Sequence, residues 1–456
     1  MLSIAFVFIS LGMVAPSIGF SDISSINSLL LSPPQNPAFV GLTTPENVTM
    51  SNSCTEAVHS PFFQSSVSDS PVYKYDKVAT AGPGIPFGHG FFQHSCHQNP
   101  NDQEFQDESE PFCLFLNPTI NQGSGLVIVA KVSTLHESLE GQLHLKDQAE
   151  KNDAFTVVKM EDKGGMGAIA SRRLEPGELV INSQATLLIS VEDETFDRPD
   201  WQHIRKLAVD LLPLKTRAQV ARLFGTGETQ EAWISSAIEM NSFEISLGQN
   251  NDIPFFAVFL TPSRLNHDCR PNTAFHVDNE SLEIHMHALR VIQPGEEMTI
   301  SYRDMSQIRE KRQEDISHYG FKCSCAHCRM SDAQAAESDR RLVKLDVLSR
   351  QLLDWDRTAD KVMLDEAEEL LELYLLEKLE NNMADGYTIA AVTYNSFGHA
   401  HRARRYATQA LASGVTYFGA NWEEAEPLRE LADTPEQHWS YRARVPESSS
   451  NFQLQG

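Results

Sequence analysis

Basic residues are scarce. Lys plus Arg number 37 against 62 Asp plus Glu, a net charge of −25 over 456 residues. Phosphate backbones are held by basic surface, so direct nucleic-acid binding is not expected unless one local patch is basic. The balance suits a basic partner, or simple solubility. Long apolar runs are scarce too. Leu2 to Phe20 is uncharged and apolar, with Pro16 near its end, and is short for a membrane span. Small residues at Ala15, Ser17 and Gly19 favour a cleavable secretory signal over residues 1–19, against a buried helix or a misassigned start, although the usual basic start is missing. No later segment could cross a bilayer as a helix, so no transmembrane anchor is expected beyond that signal-like segment. Cysteine is thin, with seven in the chain and none between Cys113 and Cys269. The hydrophobic fraction of 41% still supports real cores, and at about 150 residues per domain the length allows two or three.

Residues 20–152 read as an irregular N-terminal extension, rich in Pro and Gly turns such as the stretch Ala81 to Gly88. Within it, Phe112 to Lys131 has the pattern of two short strands around an Asn/Gly turn. From Asp153 onward, short β-branched runs alternate with Pro-Gly turns at Pro176-Gly177 and Pro294-Gly295, interrupted by a helical insert from Trp201 to Asn241. Beyond Cys328 the chain is helical, with Leu342, Leu345, Leu348 and Leu352 at helical spacing. These helices fit degenerate tetratricopeptide pairs or an ordinary bundle equally well.

Four segments carry chemistry. Lys163-Gly164-Gly165-Met166-Gly167 is a glycine loop that could approach a ligand closely, though most such pairs are only turns. Asn266-His267-Asp268-Cys269-Arg270-Pro271-Asn272 packs an amide, an imidazole and a thiol beside a proline turn; singly, His267 and Cys269 read as buried core residues. Gly295-Glu296-Glu297-Met298-Thr299-Ile300-Ser301-Tyr302 is a turn and a strand ending in an aromatic. Cys323-Ser324-Cys325-Ala326-His327-Cys328 places three thiols where they cannot all pair with one another, and where they can wrap one tetrahedral zinc that needs a fourth ligand. Cys269, His327, Cys54, Cys96 and Cys113 are candidates; Cys269 is preferred because His327 would force a sharp fold-back. Disulfides remain the competing state. His285 and His287 form a His-x-His pair that reads as two structural residues on one strand face.

Taken in order, these four segments resemble the SET-domain protein lysine methyltransferases with a cysteine-rich post-SET segment, over about Asp153 to Met330. The helical insert, Asn241-Ser242-Phe243 and the helical C-terminal region resemble the SET-and-MYND branch, closest to a group of filamentous-fungal SET proteins; the MYND finger is missing, since no cysteine lies between Cys113 and Cys269. The resemblance implies an α+β fold: a β-rich SET domain of several small sheets with a pseudoknot active site (153–304), a zinc-binding post-SET segment (305–330) and a tetratricopeptide-like helical C-terminal domain (331–456). It implies transfer of a methyl group from S-adenosyl-L-methionine to a lysine side chain of a protein, for which a basic histone tail or another protein such as a translation factor would serve. The cofactor would meet Lys163, Gly165, Met166, Gly167, Asn266 and His267, with Asn241 and Ser263 at the pocket edge and Tyr302 helping to hold its polarised methyl group. Tyr302 would be the catalytic pore residue, and Tyr319 and Phe321 would complete the channel and the adenine wall. A structural Zn2+ would be closed by Cys269, Cys323, Cys325 and Cys328. Asp268 and Met298 depart from the usual serine and leucine without removing a reactive group.

One conflict stands in the sequence. The resemblance implies nucleus or cytoplasm, whereas a secretory signal would deliver the thiols to an oxidising compartment. A catalytically silent SET-fold binding module, and a secreted protein with disulfides in place of zinc, are the alternative readings.

Overall fold

The computed structural model describes residues 84–97, 110–139, 145, 153–161, 163, 165–191, 199–248, 253–419, 422 and 424–445. The signal-like segment 1–19 and Cys54 lie outside the described residues. No helix among the described residues is long and apolar enough to cross a membrane.

Among the described residues the architecture is α+β, with three sheets followed by a helical C-terminal region. The N-terminal part contributes β1 (Ile85–Gly88), β2 (Phe91–His97), β3 (Phe112–Asn117), a short turn α1 (Ile120–Gly123), β4 (Leu126–Lys131) and α2 (Val132–Leu139). Then come β5 (Phe155–Met160), β6 (Gly165–Ala170), β7 (Leu179–Gln184) and β8 (Leu187–Ser190). The helical insert is α3 (Pro199–Leu211), α4 (Leu214–Val220) and α5 (Gln230–Asn241). It leads into β9 (Ser242–Leu247), β10 (Ile253–Val258), β11 (Asn266–His267), β12 (Thr273–Asp278), β13 (Glu283–Ala288) and β14 (Glu297–Ile300). The rest is helical: α6 (Arg309–Ser317), α7 (Asp332–Leu353), α8 (Val362–Leu376), α9 (Met383–Ser396), α10 (Ala400–Phe418) and α11 (Ala425–Asp433).

The described part of the N-terminal region, 84–97 and 110–139, departs from the irregular extension expected of residues 20–152. Its four strands form one side of a seven-stranded sheet ordered β1-β2-β3-β4-β8-β10-β9, with β4 parallel to β8. The reason lies in the two faces of that sheet. Side chains alternate across a strand. Cys113, Phe115, Leu126, Ile128 and Leu188 enter one core, while Phe112, Leu114, Val127, Val129, Leu187 and Ile189 pack on α3 and α5 in another. A strand buried on both faces reads as an unbroken apolar run rather than an alternation, as FCLFL and LVIVA do. The two expected strands of Phe112 to Lys131 are present, joined through α1. Cys96 and Cys113 face each other across β2 and β3 and form a disulfide.

The second sheet, β11-β14-β6-β5, carries the glycine loop and the Asn-His pair; the third is β12-β13-β7. Helices α7 to α11 share a third core, built on Leu342, Leu345, Leu370, Leu371, Tyr374, Tyr394 and Leu428. This core explains the leucine spacing read along residues 342–352. The C-terminal region rests on the third sheet through the end of α10. Gly419, at φ 88°, lies so close to His276 that a β-carbon there would stand 2.9 Å from the ring. A side chain at that backbone angle would be strained as well.

His276 stacks on His285 and His287, with ring centroids 5.2 and 5.7 Å apart, which explains the His-x-His pair as part of a packed strand face. Its Nδ1 has no hydrogen-bond partner among the described residues. Burial lowers its pKa from 6.5 to about 4, and repulsion from His285 and His287 adds to this against Asp278 and the Tyr417 backbone.

Two outcomes are expected. Phe115→Ala, which empties a fully buried site in the sheet, should cost about 3–5 kcal/mol in urea unfolding; a loss under about 0.5 kcal/mol, the level of a surface substitution, would show that β3 is not integral to this core. For His276 the unfolded imidazole takes up its proton first. Its contribution is therefore complete above pH 6.5, declines as the pH falls toward about 4, and is flat below that. Thermal melts across this range should show a shallower acid decline in His276→Gln than in the parent chain, and identical slopes would contradict the assignment.

Candidate functional site

The site is assembled by a strand of two residues. β11 pairs in parallel with β14, Asn266 opposite Thr299 and His267 opposite Ile300. β14 pairs in turn with β6, Glu297 opposite Ile169 and Met298 opposite Ala168. Three of the four motifs thus become neighbours in one sheet. The crossing is fastened from both sides: Asp268 N–H donates to the Ile300 carbonyl (2.9 Å), Thr299 N–H to Asn272 Oδ1 (2.8 Å), and Asn272 Nδ2 to the Glu297 carbonyl (2.8 Å).

At the glycine loop, Asn266 Nδ2 donates to the Met166 carbonyl (3.0 Å) and to Glu297 Oε1 (2.8 Å), while Lys163 Nζ donates to Glu297 Oε2 (2.6 Å). Gly167 permits this approach. A β-carbon there would lie 2.7 Å from Met160 Cγ, 3.0 Å from Asn266 Nδ2 and 3.1 Å from Glu297 Oε1. Gly165 has open space at the same position. Lys163, Gly165, Met166, Gly167 and Asn266 therefore form one polar cradle, with Glu297 as a member that the sequence pattern did not single out. Its signal was the Gly-Glu-Glu run itself.

The aromatic cluster lies beside this cradle. Tyr302 follows β14, and its ring centroid is 5.4 Å from that of His267 and 5.0 Å from that of Tyr319. Phe321 lies 6.5 Å from His267. Tyr302 Oη donates to the Leu265 carbonyl at 2.8 Å, an anchor invisible in the sequence because every residue has a carbonyl. Burial, then Tyr319 and Glu297, push the Tyr302 phenol above its ordinary range, so it stays protonated at neutral pH. Burial is likewise the main cause lowering His267 to about 4, so its imidazole is neutral. The Tyr302 N–H donates to His267 Nδ1 (3.1 Å). An acceptor Nδ1 in a neutral ring leaves the proton on Nε2, which points at Cys269 Sγ, 3.4 Å away.

Asn241 and Ser263 stand apart from the cradle in their bonding. Asn241 Nδ2 donates to the Phe224 (2.8 Å) and Ala237 (2.7 Å) carbonyls, and Ser263 Oγ to the Phe259 (2.7 Å) and Asn241 (3.0 Å) carbonyls. Both polar groups brace local backbone. An open depression of about 520 Å³ beside α6 is bordered by Phe321, Gln313 and Lys322 but not by Tyr302 or His267.

The cysteines converge. The sulfurs of Cys269, Cys323, Cys325 and Cys328 all lie within 4.8 Å of one another, the one such metal-competent group among the described residues. Cys269 Sγ is 3.9 Å from that of Cys323 and 3.5 Å from that of Cys328. Zinc–thiolate bonds of about 2.3 Å in a tetrahedron require sulfur edges of about 3.8 Å, so the donor set and spacing fit a closed structural zinc. All four are free thiols. Crowding already polarises them: hydrogen bonds from Cys269 and Cys323 push Cys325 and Cys328 down, while Cys269 itself is pushed up. Gln313 of α6 braces the clasp, exchanging hydrogen bonds with the Cys323 backbone at 2.8 and 3.1 Å. His327, the other nearby candidate for fourth ligand, turns away to Ser338 Oγ at 3.3 Å.

Residues 165–303 match the family model of the SET domain. The chain is similar to histone-lysine N-methyltransferase set5 of Schizosaccharomyces pombe, 36% identical over 110 residues, 24% of this chain and 32% of that protein. It is similar to a SET and MYND domain-containing protein of Dictyostelium discoideum, 38% identical over 72 residues (16% of this chain, 21% of that one). It is similar also to histone-lysine N-methyltransferase SMYD3 of Mus musculus, 33% identical over 96 residues (21% and 22%). The chain thus spans a third or less of the length of these curated relatives. Among solved structures, one of Rubisco LSMT bound to AdoMet aligns over 71% of this chain and 96% of that chain, at 13% identity and a TM-score of 0.24, a likeness too loose to bear on the site.

Elemental analysis of purified protein should return one zinc per chain, and Cys269→Ser should lower that occupancy at least tenfold under chelator competition. Metal-free protein whose four thiols titrate as disulfides would contradict the fit.

Proposed function

We propose that this chain is a protein-lysine N-methyltransferase (EC 2.1.1.-) that uses S-adenosyl-L-methionine, with residues 153–304 as its SET domain, 305–330 as the zinc-binding post-SET segment and 331–456 as a helical domain. Within that family it stands in the SET-and-MYND-like branch lacking the MYND finger, closest to the filamentous-fungal proteins. The observation that carries the reading is the convergence of the glycine loop and Asn266-His267 on one small sheet, with Tyr302 just past its strand β14, beside a four-thiol clasp.

S-adenosyl-L-methionine, when bound, supplies a methyl group on a sulfonium for direct displacement by an amine. The cradle of Lys163, Gly165, Met166, Gly167 and Asn266 would hold it, with the backbone of Asn241 and Ser263 at the pocket edge. The close fit around Gly167 supports this, because a side chain there would fill the cradle. Lys163 and Asn266 present one ammonium and one amide to an amino-acid moiety, and Glu297 holds both in place.

The chain's own contribution to transfer is alignment and exclusion of water. Tyr302 is the catalytic residue. Its hydroxyl is fixed on the Leu265 carbonyl, so the phenol oxygen keeps its lone pairs free to accept, and it would orient the substrate amine and help hold the polarised methyl. A protonated phenol does not serve as the base, so the substrate lysine arrives neutral, its proton having gone to solvent. The aromatic walls of Tyr302, Tyr319 and Phe321 favour that neutral form by desolvation. Neutral His267 supports Tyr302 from its backbone side.

The substrate is a protein with an exposed lysine, and a basic tail such as that of a histone suits a chain of net charge −25. Two of the similar proteins described above are histone-lysine N-methyltransferases, which supports the same class.

Incubation with methyl-labelled S-adenosyl-L-methionine and mixed histones is expected to place label on lysine. Tyr302→Phe should lower the rate by roughly 10²-fold or more while leaving zinc content and cofactor affinity near the parent values. No cofactor binding by calorimetry would favour a catalytically silent fold, and equal labelling by the two proteins would remove Tyr302 from its role.

A further inference from the structure

Two residues embedded in the cysteine motifs turn away from the clasp. Arg270 directly follows Cys269, and His327 directly precedes Cys328. Both arrive at one carboxylate, that of Glu377, whose side chain is 1% exposed.

Glu377 sits just past the end of α8, where the helix closes with Lys378 in a left-handed conformation (φ 53°) and Leu379 N–H bonded to the Tyr374 carbonyl at 3.0 Å. A helix C-terminus is the negative end of the helix dipole, and burial adds a desolvation cost, so locally this is a poor place for a carboxylate. Compensation comes from other elements. Arg341 of α7 donates its Nε to Oε1 at 2.6 Å, and Ser338 of α7 donates its hydroxyl to Oε2 at 2.6 Å. Arg270 donates Nη2 to Oε2 at 3.2 Å and Nε to the Glu377 carbonyl. The same guanidinium donates Nη1 to the Cys269 carbonyl at 2.6 Å and to the Met305 carbonyl at 3.0 Å. On the other side, His327 Nε2 lies 3.3 Å from Ser338 Oγ and 3.8 Å from Glu377 Oε2.

Cys269 and the Cys325–Cys328 loop are separated by more than fifty residues, and the helical region holds each at the position next to a sulfur. We propose that Glu377 is a positioning residue for the metal clasp, the point through which the helical region fixes the spacing between Cys269 and the Cys323–Cys328 segment. The inference rests on the zinc reading above. Packing between α7 and α8 does not need this carboxylate, since Leu345, Leu370 and Leu371 already share the helical core. Orienting partners of this kind, behind the ligands themselves, typically change metal affinity by about 10–100-fold.

The test uses the full-length zinc-loaded chain and measures transfer of zinc to a chromophoric chelator well below the unfolding midpoint. Glu377→Gln should release zinc at least tenfold faster than the parent, and Ser338→Ala severalfold faster. Arg341→Met, which removes only the α7 guanidinium, should lower the melting midpoint but keep zinc release within about twofold of the parent. Glu377→Asp should recover part of the retention. Should Glu377→Gln fail to fold, Ser338→Ala against Arg341→Met makes the same comparison. Release equal to the parent in Glu377→Gln, or in Ser338→Ala, or matched by Arg341→Met, would overturn the assignment. A parent chain that holds no zinc defeats the metal reading and this inference with it; unchanged release from zinc-loaded variants defeats the inference alone.

Discussion

Everything at the site hangs on two residue pairs. β11 is two residues long, too short to persist alone, and exists because β14 and the Asn272 side chain hold the crossing segment on both sides. If that crossing were lost, Asn266 would leave the glycine loop, His267 would leave the Tyr302 amide, and Cys269 would leave its three partner thiols. Those contacts reach three different parts of the structure, yet they sit on four consecutive residues. Such a segment is rigid because its neighbours over-determine it, which is how short irregular strands come to hold reactive geometry.

The two buried rings beside it illustrate how burial does chemical work. Desolvation moves His267 down and Tyr302 up, so one stays neutral and the other stays protonated over the same pH range. Neither shift needs a charged partner as its main cause. The arrangement is a fixed set of hydrogen-bond directions: Leu265 carbonyl, Tyr302 hydroxyl, Tyr302 amide, His267 and Cys269.

Much of this was legible in the chain because it depends on local patterns. The glycine loop, the Asn-His segment, the Gly-Glu-Glu turn and the cysteine trio each announce themselves through spacing, and the leucine repeat of α7 through helical period. What was illegible is long-range. FCLFL and LVIVA give no sign of which distant strands they join, and the Pro- and Gly-rich segments around them read as irregular. Cys96 and Cys113 carry no spacing signal, since only the β2–β3 register brings them opposite each other. Glu377 is one acid among 62, within an acidic helical stretch, and nothing in its neighbours marks it as buried. Asn241 and Ser263 show the converse, polar residues near a motif whose side chains serve the backbone.

The parallel contact between β4 and β8 has a consequence for synthesis. A hairpin of β2, β3 and β4 can form as soon as it leaves the ribosome, but the inner edge of β4 has no neighbour until residue 190 has emerged, and the sheet is not complete until residue 258. During that interval an apolar strand with open backbone groups is presented to solvent or to a chaperone. The crossing of β11 with β14 comes later still, after residue 300. Nascent chains of this topology are aggregation-exposed in mid-translation, which makes the order of emergence, as much as final stability, a determinant of how much folded protein a cell recovers.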